Sequence, residues 1–331
     1  MLGGFEQVNQ RKEGPILERV NNQMMLEALT YKEPSKLKVI MAFAAVYIFW
    51  GSTYIAIAIA IKSTPPFIMA AIRFFVAGII LYAWCMLRGE KNPDWPSIYK
   101  NALAGVLMLF FGTTSLIWVE QWLPAGLSSI IIATTPFWFI LLDRKHWREN
   151  LSDKFILIGL VVGLVGIAML SLHKGSVDLW TNKKQLTSFV VLLFGSMLWA
   201  MGSLFSKYSV TRGSWGIKAS YQMMAAGLTA LIVSVISGEY GRFSWGHISM
   251  QSINAMIYLI TFGSLIGFIA YIWLLDVRPP AIVGTYAYVN PVVAVFLGWW
   301  ILGEQLSGFQ FVALFVVLSG VLLVNLSKYK K

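Results

Sequence analysis

The sequence predicts an all-α integral membrane protein whose ten transmembrane helices form two inverted five-helix repeats. Three observations predict it. The composition is too apolar for water, apolar stretches of bilayer length recur along the chain, and the second half repeats the first after an odd number of spans. Hydrophobic residues make up 57% of the 331 and charged residues only 12%, about half the charged share of a soluble domain. Such a chain cannot cover itself with polar surface.

A bilayer core of about 30 Å takes roughly 20 apolar residues per helix. On that scale the spans read 38–60, 66–87, 102–121, 125–143, 154–172, 187–207, 218–237, 252–275, 280–302 and 308–326. Prolines 65, 66, 124, 279 and 280 fall at span starts, where a missing N–H costs little. Residues 1–36 read as a polar, solvated cytoplasmic tail. No apolar run precedes the first span, so no cleavable signal peptide is expected.

The net charge of +11 does not point to nucleic acid, because the basic residues lie between apolar spans. With the N-terminus inside, 16 of them fall on the cytoplasmic side and five (Lys62, Lys174, Lys183, Lys184 and Arg242) on the far side. Both termini are therefore expected in the cytoplasm. Cys85 is the single cysteine, which excludes an internal disulfide or a CxxC site. His146, His173 and His247 all lie between spans and far apart, so no metal is expected.

The duplication is carried by uncommon residues. An offset of 149 pairs Trp50 with Trp199, Arg73 with Gln222 and Gly78 with Gly227. An offset of 155 pairs Gly112 with Gly267, Trp118 with Trp273, Pro124 with Pro279, Pro136 with Pro291 and Glu149 with Glu304. The copies cover 37–172 and 187–327, and five spans per copy make the second enter the membrane from the opposite side. Inverted repeats place a site near the midplane and give two quasi-equivalent states, as transporters need.

The first span reads Tyr47-Ile-Phe-Trp50-Gly51-Ser52-Thr53-Tyr54 and the second begins Pro65-Pro66-Phe-Ile-Met-Ala-Ala-Ile-Arg73. The ninth reads Tyr286-Ala-Tyr288-Val-Asn290-Pro291, followed by Gly303-Glu304-Gln-Leu306. In order and spacing these motifs resemble the EamA family of the drug/metabolite transporter superfamily, in its YedA-like branch, over about 38–327. The resemblance implies a ten-helix, two-repeat exporter of small metabolites, amino acids or related compounds in the bacterial inner membrane. It implies no ATP hydrolysis, and no GxxxxGK[ST] loop occurs in the chain. Two features depart from the family pattern: Arg148-Glu149 stands where the second copy has Gly303-Glu304, and the N-terminal tail is long.

Arg73 is the most informative side chain. It lies about seven residues into its span, roughly 10 Å deep, where a charge costs about 2.5–3.5 kcal/mol and normally faces protein or a watery cavity. It is read either as a structural cation, with Glu120 as its nearest topological partner, or as the receiver of an anionic substrate group. Trp50, Trp118, Trp199 and Trp273, with Tyr54 one turn after Trp50, offer stacking surface, although membrane tryptophans also form interfacial belts. Ser52, Gln222, Tyr288 and Asn290 complete the expected substrate-binding set. Such polar residues can hydrogen-bond a solute or glue helices together. Pro136 and Pro291 are expected to kink their helices, structurally or as gate hinges. Glu149 and Glu304 precede helices five and ten, where an acid complements the helix dipole. Gly159, Gly163 and Gly166 permit close packing within the chain or across a homodimer.

No histidine lies in a span and no two acids lie close together inside one, so the sequence offers no apparatus for a membrane enzyme. The loops are too short for a signalling domain. The expected function is secondary transport of a small molecule without a cofactor, as an exporter, with an importer or facilitative uniporter as the alternative.

Overall fold

A computed structural model describes residues 34–172, 181–303 and 307–329. The chain divides into two units, Met1–Ile40 and Met41–Lys331, and the helix bundle belongs to the second. Among the described residues every regular element is helical. Seven helices are long and apolar enough to cross a membrane. They are α1 (Lys36–Ala60), α2 (Pro66–Leu87), α3 (Trp95–Val119), α4 (Ala125–Leu142), α6 (Lys183–Tyr208), α7 (Trp215–Ile236) and α8 (Met250–Val277). Three further helices carry shorter apolar stretches. These are α5 (Lys154–Leu172), α9 (Pro280–Leu302, in segments) and α10 (Gly308–Tyr329).

Local sequence explains the ends. Pro66 starts α2 at its first turn. Asn182, Ser214 and Ser249 cap α6, α7 and α8 by accepting backbone N–H groups, which relieves the unpaired donors of a first turn. The largest departure from the expected spans is α3, which starts at Trp95 rather than 102, because Pro96 opens a polar helical turn ahead of the apolar stretch. Large apolar side chains such as Ile79, Trp84, Val161, Phe194 and Phe296 are exposed, as a lipid-facing surface requires.

Two helix pairs pack most extensively, α2 against α7 and α5 against α10. Glycine makes both approaches possible. A Cβ on Gly227 would stand 2.5 Å from the backbone nitrogen of Phe75, and one on Gly78 would stand 2.8 Å from that of Met224. One on Gly320 would meet the nitrogen of Gly163 at 2.5 Å. Small residues of this kind let membrane helices touch backbone to backbone. Each pair joins a helix of the first half to the corresponding helix of the second.

Two features were not expected. The middle of α3 (Val106–Thr114) and of α8 (Leu259–Phe268) is π-helical, a wider winding often found at functional positions. At the offset of 155 these segments correspond. In α4 the helix is interrupted at Ala133–Thr134, and Pro136 opens the segment Thr135–Leu142, so the chain breaks where a kink was expected. Pro291 does lie inside a helix, Tyr286–Leu297.

Candidate functional site

A cavity of about 70 Å³ lies among α1, α2, α3, α4, α6, α8 and α9. That is room for roughly five waters. Among the described residues, none from α5, α7 or α10 lines its wall. The wall is largely apolar, with hydroxyls from Thr53, Thr113, Thr135, Ser196 and Ser264 and the amide of Asn290.

Arg73 is the charged residue of the wall, and it is 4% exposed. Its Nε donates to Ser264 Oγ at 3.0 Å, so the partner comes from the π-helical segment of the other half. A Cβ on Gly263 would stand 2.8 Å from Arg73 Nη2, so the guanidinium rests on bare backbone there. Nη1 is buried and makes no hydrogen bond among the described residues. The carboxylate of Glu120, just past the end of α3, is buried and acts electrostatically on Arg73 and Tyr54. A guanidinium stays charged at any ordinary pH. A buried donor left over on a cation costs about 1–3 kcal/mol or more.

The repeat-paired tryptophans meet at the cavity. Trp50 and Trp199 stand edge to face with centroids 5.4 Å apart at 83°. Tyr286 meets Trp50 at 5.0 Å and 90°. Such tilted pairs match positive ring edges to negative faces. Each indole is also held by a hydrogen bond. Trp50 Nε1 donates to the Gly263 carbonyl at 3.0 Å. Trp199 Nε1 donates to Tyr271 Oη at 3.1 Å, Tyr271 Oη and Ser203 Oγ share a hydrogen bond at 2.7 Å, and Ser203 Oγ lies 2.8 Å from the Trp199 carbonyl, which accepts from it. The glycine pair completes the symmetry, because Trp50 lies against Gly267 and Trp199 against Gly112. Rigid aromatic walls of this kind define a shape.

The chain matches the EamA-like transporter family twice, over residues 37–172 and 186–326. It belongs to that family. It is 37% identical to the inner membrane transporter YedA of Escherichia coli, over 87% of this chain and 90% of that one. Transporter YoaV of Bacillus subtilis is 20% identical over 82% of this chain and 91% of its own. One solved crystal structure superposes with a TM-score of 0.64 at 15% identity, over 90% of this chain and all of the other, which shows that the fold is a known one. The protein is a membrane transporter and not an enzyme.

Within this EamA bundle, Trp50, Tyr54, Arg73, Trp199 and Asn290 are brought together at the cavity. The Asn290 amide nitrogen is placed to donate to the carbonyls of Tyr286 (3.0 Å) and Tyr47 (3.3 Å). Four other expected residues lie elsewhere. Gln222 is fully buried and donates to Ser206 Oγ at 3.0 Å and Asn101 Oδ1 at 3.4 Å, which ties α7 to α6 and α3. Trp118 packs on Trp122 at 4.6 Å and lines a separate apolar recess of about 390 Å³ between α3 and α6. Ser52 is bonded to Tyr258 Oη and to its own helix, and Trp273 is half-buried away from the cavity wall. The side chains of Tyr288 and Glu149, and all of Glu304, lie outside the described residues. The residues that sequence reasoning missed are Gly263, Ser264, Tyr271 and Tyr286. Tyr286 stands in a quoted motif, but Ser264 pairs with Leu109 across the repeat, so the duplication carried no signal for it.

Proposed function

We propose that this chain is a secondary transporter that exports small metabolites, such as amino acids or related compounds, by alternating access. Its ten helices form two inverted five-helix repeats in a bacterial inner membrane, with both termini in the cytoplasm. The observation that carries this reading is a cavity walled by both halves. It joins one buried cation, Arg73, to the repeat-paired Trp50 and Trp199. The reciprocal contacts of the two tryptophans with Gly267 and Gly112 support a pseudo-twofold relation between the halves. An inverted repeat can exchange its two conformations to open the site alternately to each side.

Trp50, Tyr54, Arg73, Trp199 and Asn290 bind the solute in this reading. Gln222, Ser52, Trp118 and Trp273 hold helices or face the bilayer, and Glu120 tunes the field at Arg73. Metabolite profiling of medium tests it. Cells overproducing the protein should release at least one small solute faster than cells lacking it, and overproduction of Arg73→Ala should not reproduce the release. Equal media from the overproducing and the lacking strain would remove the export reading.

A further inference from the structure

The widest gap in the hydrogen bonding of the cavity lies at Arg73, and the groups that set its direction lie in one dipeptide of the opposite half. Ser264 Oγ accepts from Nε at 3.0 Å, which fixes the edge of the planar fork opposite Nη1. A Cβ on Gly263 would stand 2.8 Å from Nη2, so a side chain there would push the guanidinium out of its present place. The same glycine accepts from Trp50 Nε1 through its carbonyl at 3.0 Å. One backbone step therefore positions both the cation and an aromatic wall, and it does so from the π-helical segment Leu259–Phe268. Nη1 keeps no hydrogen-bond partner among the described residues although Arg73 is 4% exposed.

We propose that Gly263 and Ser264 are positioning residues that aim Arg73 at the carboxylate of a small organic anion whose apolar or aromatic body lies against Trp50 and Trp199. This rests on the reading of the cavity as the transport site. The chemistry follows from the wall. The described residues lining the cavity include a cation and no acid, and Glu120, which acts on Arg73 electrostatically, lies outside that lining, so a carboxylate gains a charge-assisted bond there that a neutral amide does not. The guanidinium fork recognises a planar carboxylate only when its plane is held, and Ser264 holds it. Rings standing edge to face accept a flat apolar group more readily than a polar one.

The test is equilibrium binding of radiolabelled phenylacetate to the purified full-length protein, with unlabelled phenylacetamide as competitor and thermal unfolding as control. Saturable binding is expected, with phenylacetamide competing at least tenfold more weakly. Ser264→Ala should weaken phenylacetate about three- to tenfold and narrow the preference for carboxylate over amide, which a merely structural defect would not do. Ser264→Thr, which keeps the acceptor, should bind within about twofold of wild type. Gly263→Ala should weaken binding about tenfold or more. Should that variant fail to fold, the two Ser264 variants decide the matter. Wild-type binding and selectivity in Ser264→Ala, with binding lost in Arg73→Gln, would overturn the positioning role and leave the transport site standing. Unchanged binding in Arg73→Gln would overturn the site reading itself. Absence of saturable phenylacetate binding, or equal competition by the amide, would overturn the assignment of an organic carboxylate.

Discussion

Arg73 and Gln222 occupy corresponding places in the two copies, and the protein uses them in opposite ways. Arg73 faces the cavity, is held at Nε by Ser264 and keeps one donor unspent. Gln222 is away from the cavity, where its amide nitrogen donates to Ser206 and Asn101 and its Oε1 is buried without a hydrogen bond among the described residues. The reason is helix separation. At Gln222 the α3 backbone comes so close that a Cβ on Gly105 would meet the Gln222 carbonyl, which leaves space for an amide but not for a ligand. At Arg73 the neighbour is Gly263 of a π-helical segment, and the residue borders the cavity. Duplication supplied two similar positions, and packing made one a joint and put the other on the cavity wall.

Exchanging the two chemistries should break the comparison most severely. Gln222→Arg buries a guanidinium against backbone with nowhere to go. It is expected to cost about 3–5 kcal/mol, the penalty of an uncompensated buried charge, and to remove most folded protein from the membrane fraction on a quantitative blot. Gln222→Ala only loses a joint. It should lower stability by about 1–3 kcal/mol, the scale for a broken buried hydrogen bond, seen as an earlier thermal unfolding in detergent with substrate KM unchanged. A changed KM would mean that Gln222 touches the solute after all. The smallest effect is expected at Lys218–Asp276, a partly exposed pair 3.8 Å apart. Asp276→Asn should shift stability by less than about 1 kcal/mol, and a larger shift would mark that pair as a structural link between α7 and α8.

Much of the bundle was legible because lipid imposes a simple rule on sequence, and span ends at Pro66, Ala125 and Lys154 follow it. The Trp50–Trp199 meeting was legible too, since a residue uncommon in spans recurred at a fixed offset. Trp118 and Trp273 recur equally well, yet Trp118 packs on Trp122 beside the recess between α3 and α6. Recurrence reports equivalent positions and says nothing of which way a side chain faces. The π-helical segments left no trace in composition. Arg73 and Ser264 are 191 residues apart, and a serine among apolar neighbours gives no reason to pair it with a distant cation. Glu120 was the partner expected by topology, and it does act on Arg73 electrostatically, while the hydrogen bond at Nε runs to Ser264.

Arg73 carries the central claim, and transport by its variants tests that claim most directly. Export of a solute identified from the medium would be measured in cells producing equal membrane amounts of wild type, Arg73→Lys and Arg73→Ala. Losing a charge-assisted hydrogen bond of about 1.5–3 kcal/mol corresponds to roughly 10- to 100-fold. Arg73→Ala should lose about that much export, and Arg73→Lys should recover only part, because a lysine keeps the charge without the planar fork. Wild-type export by a well-expressed Arg73→Ala would contradict the account, since the buried cation would then have no part in moving the solute.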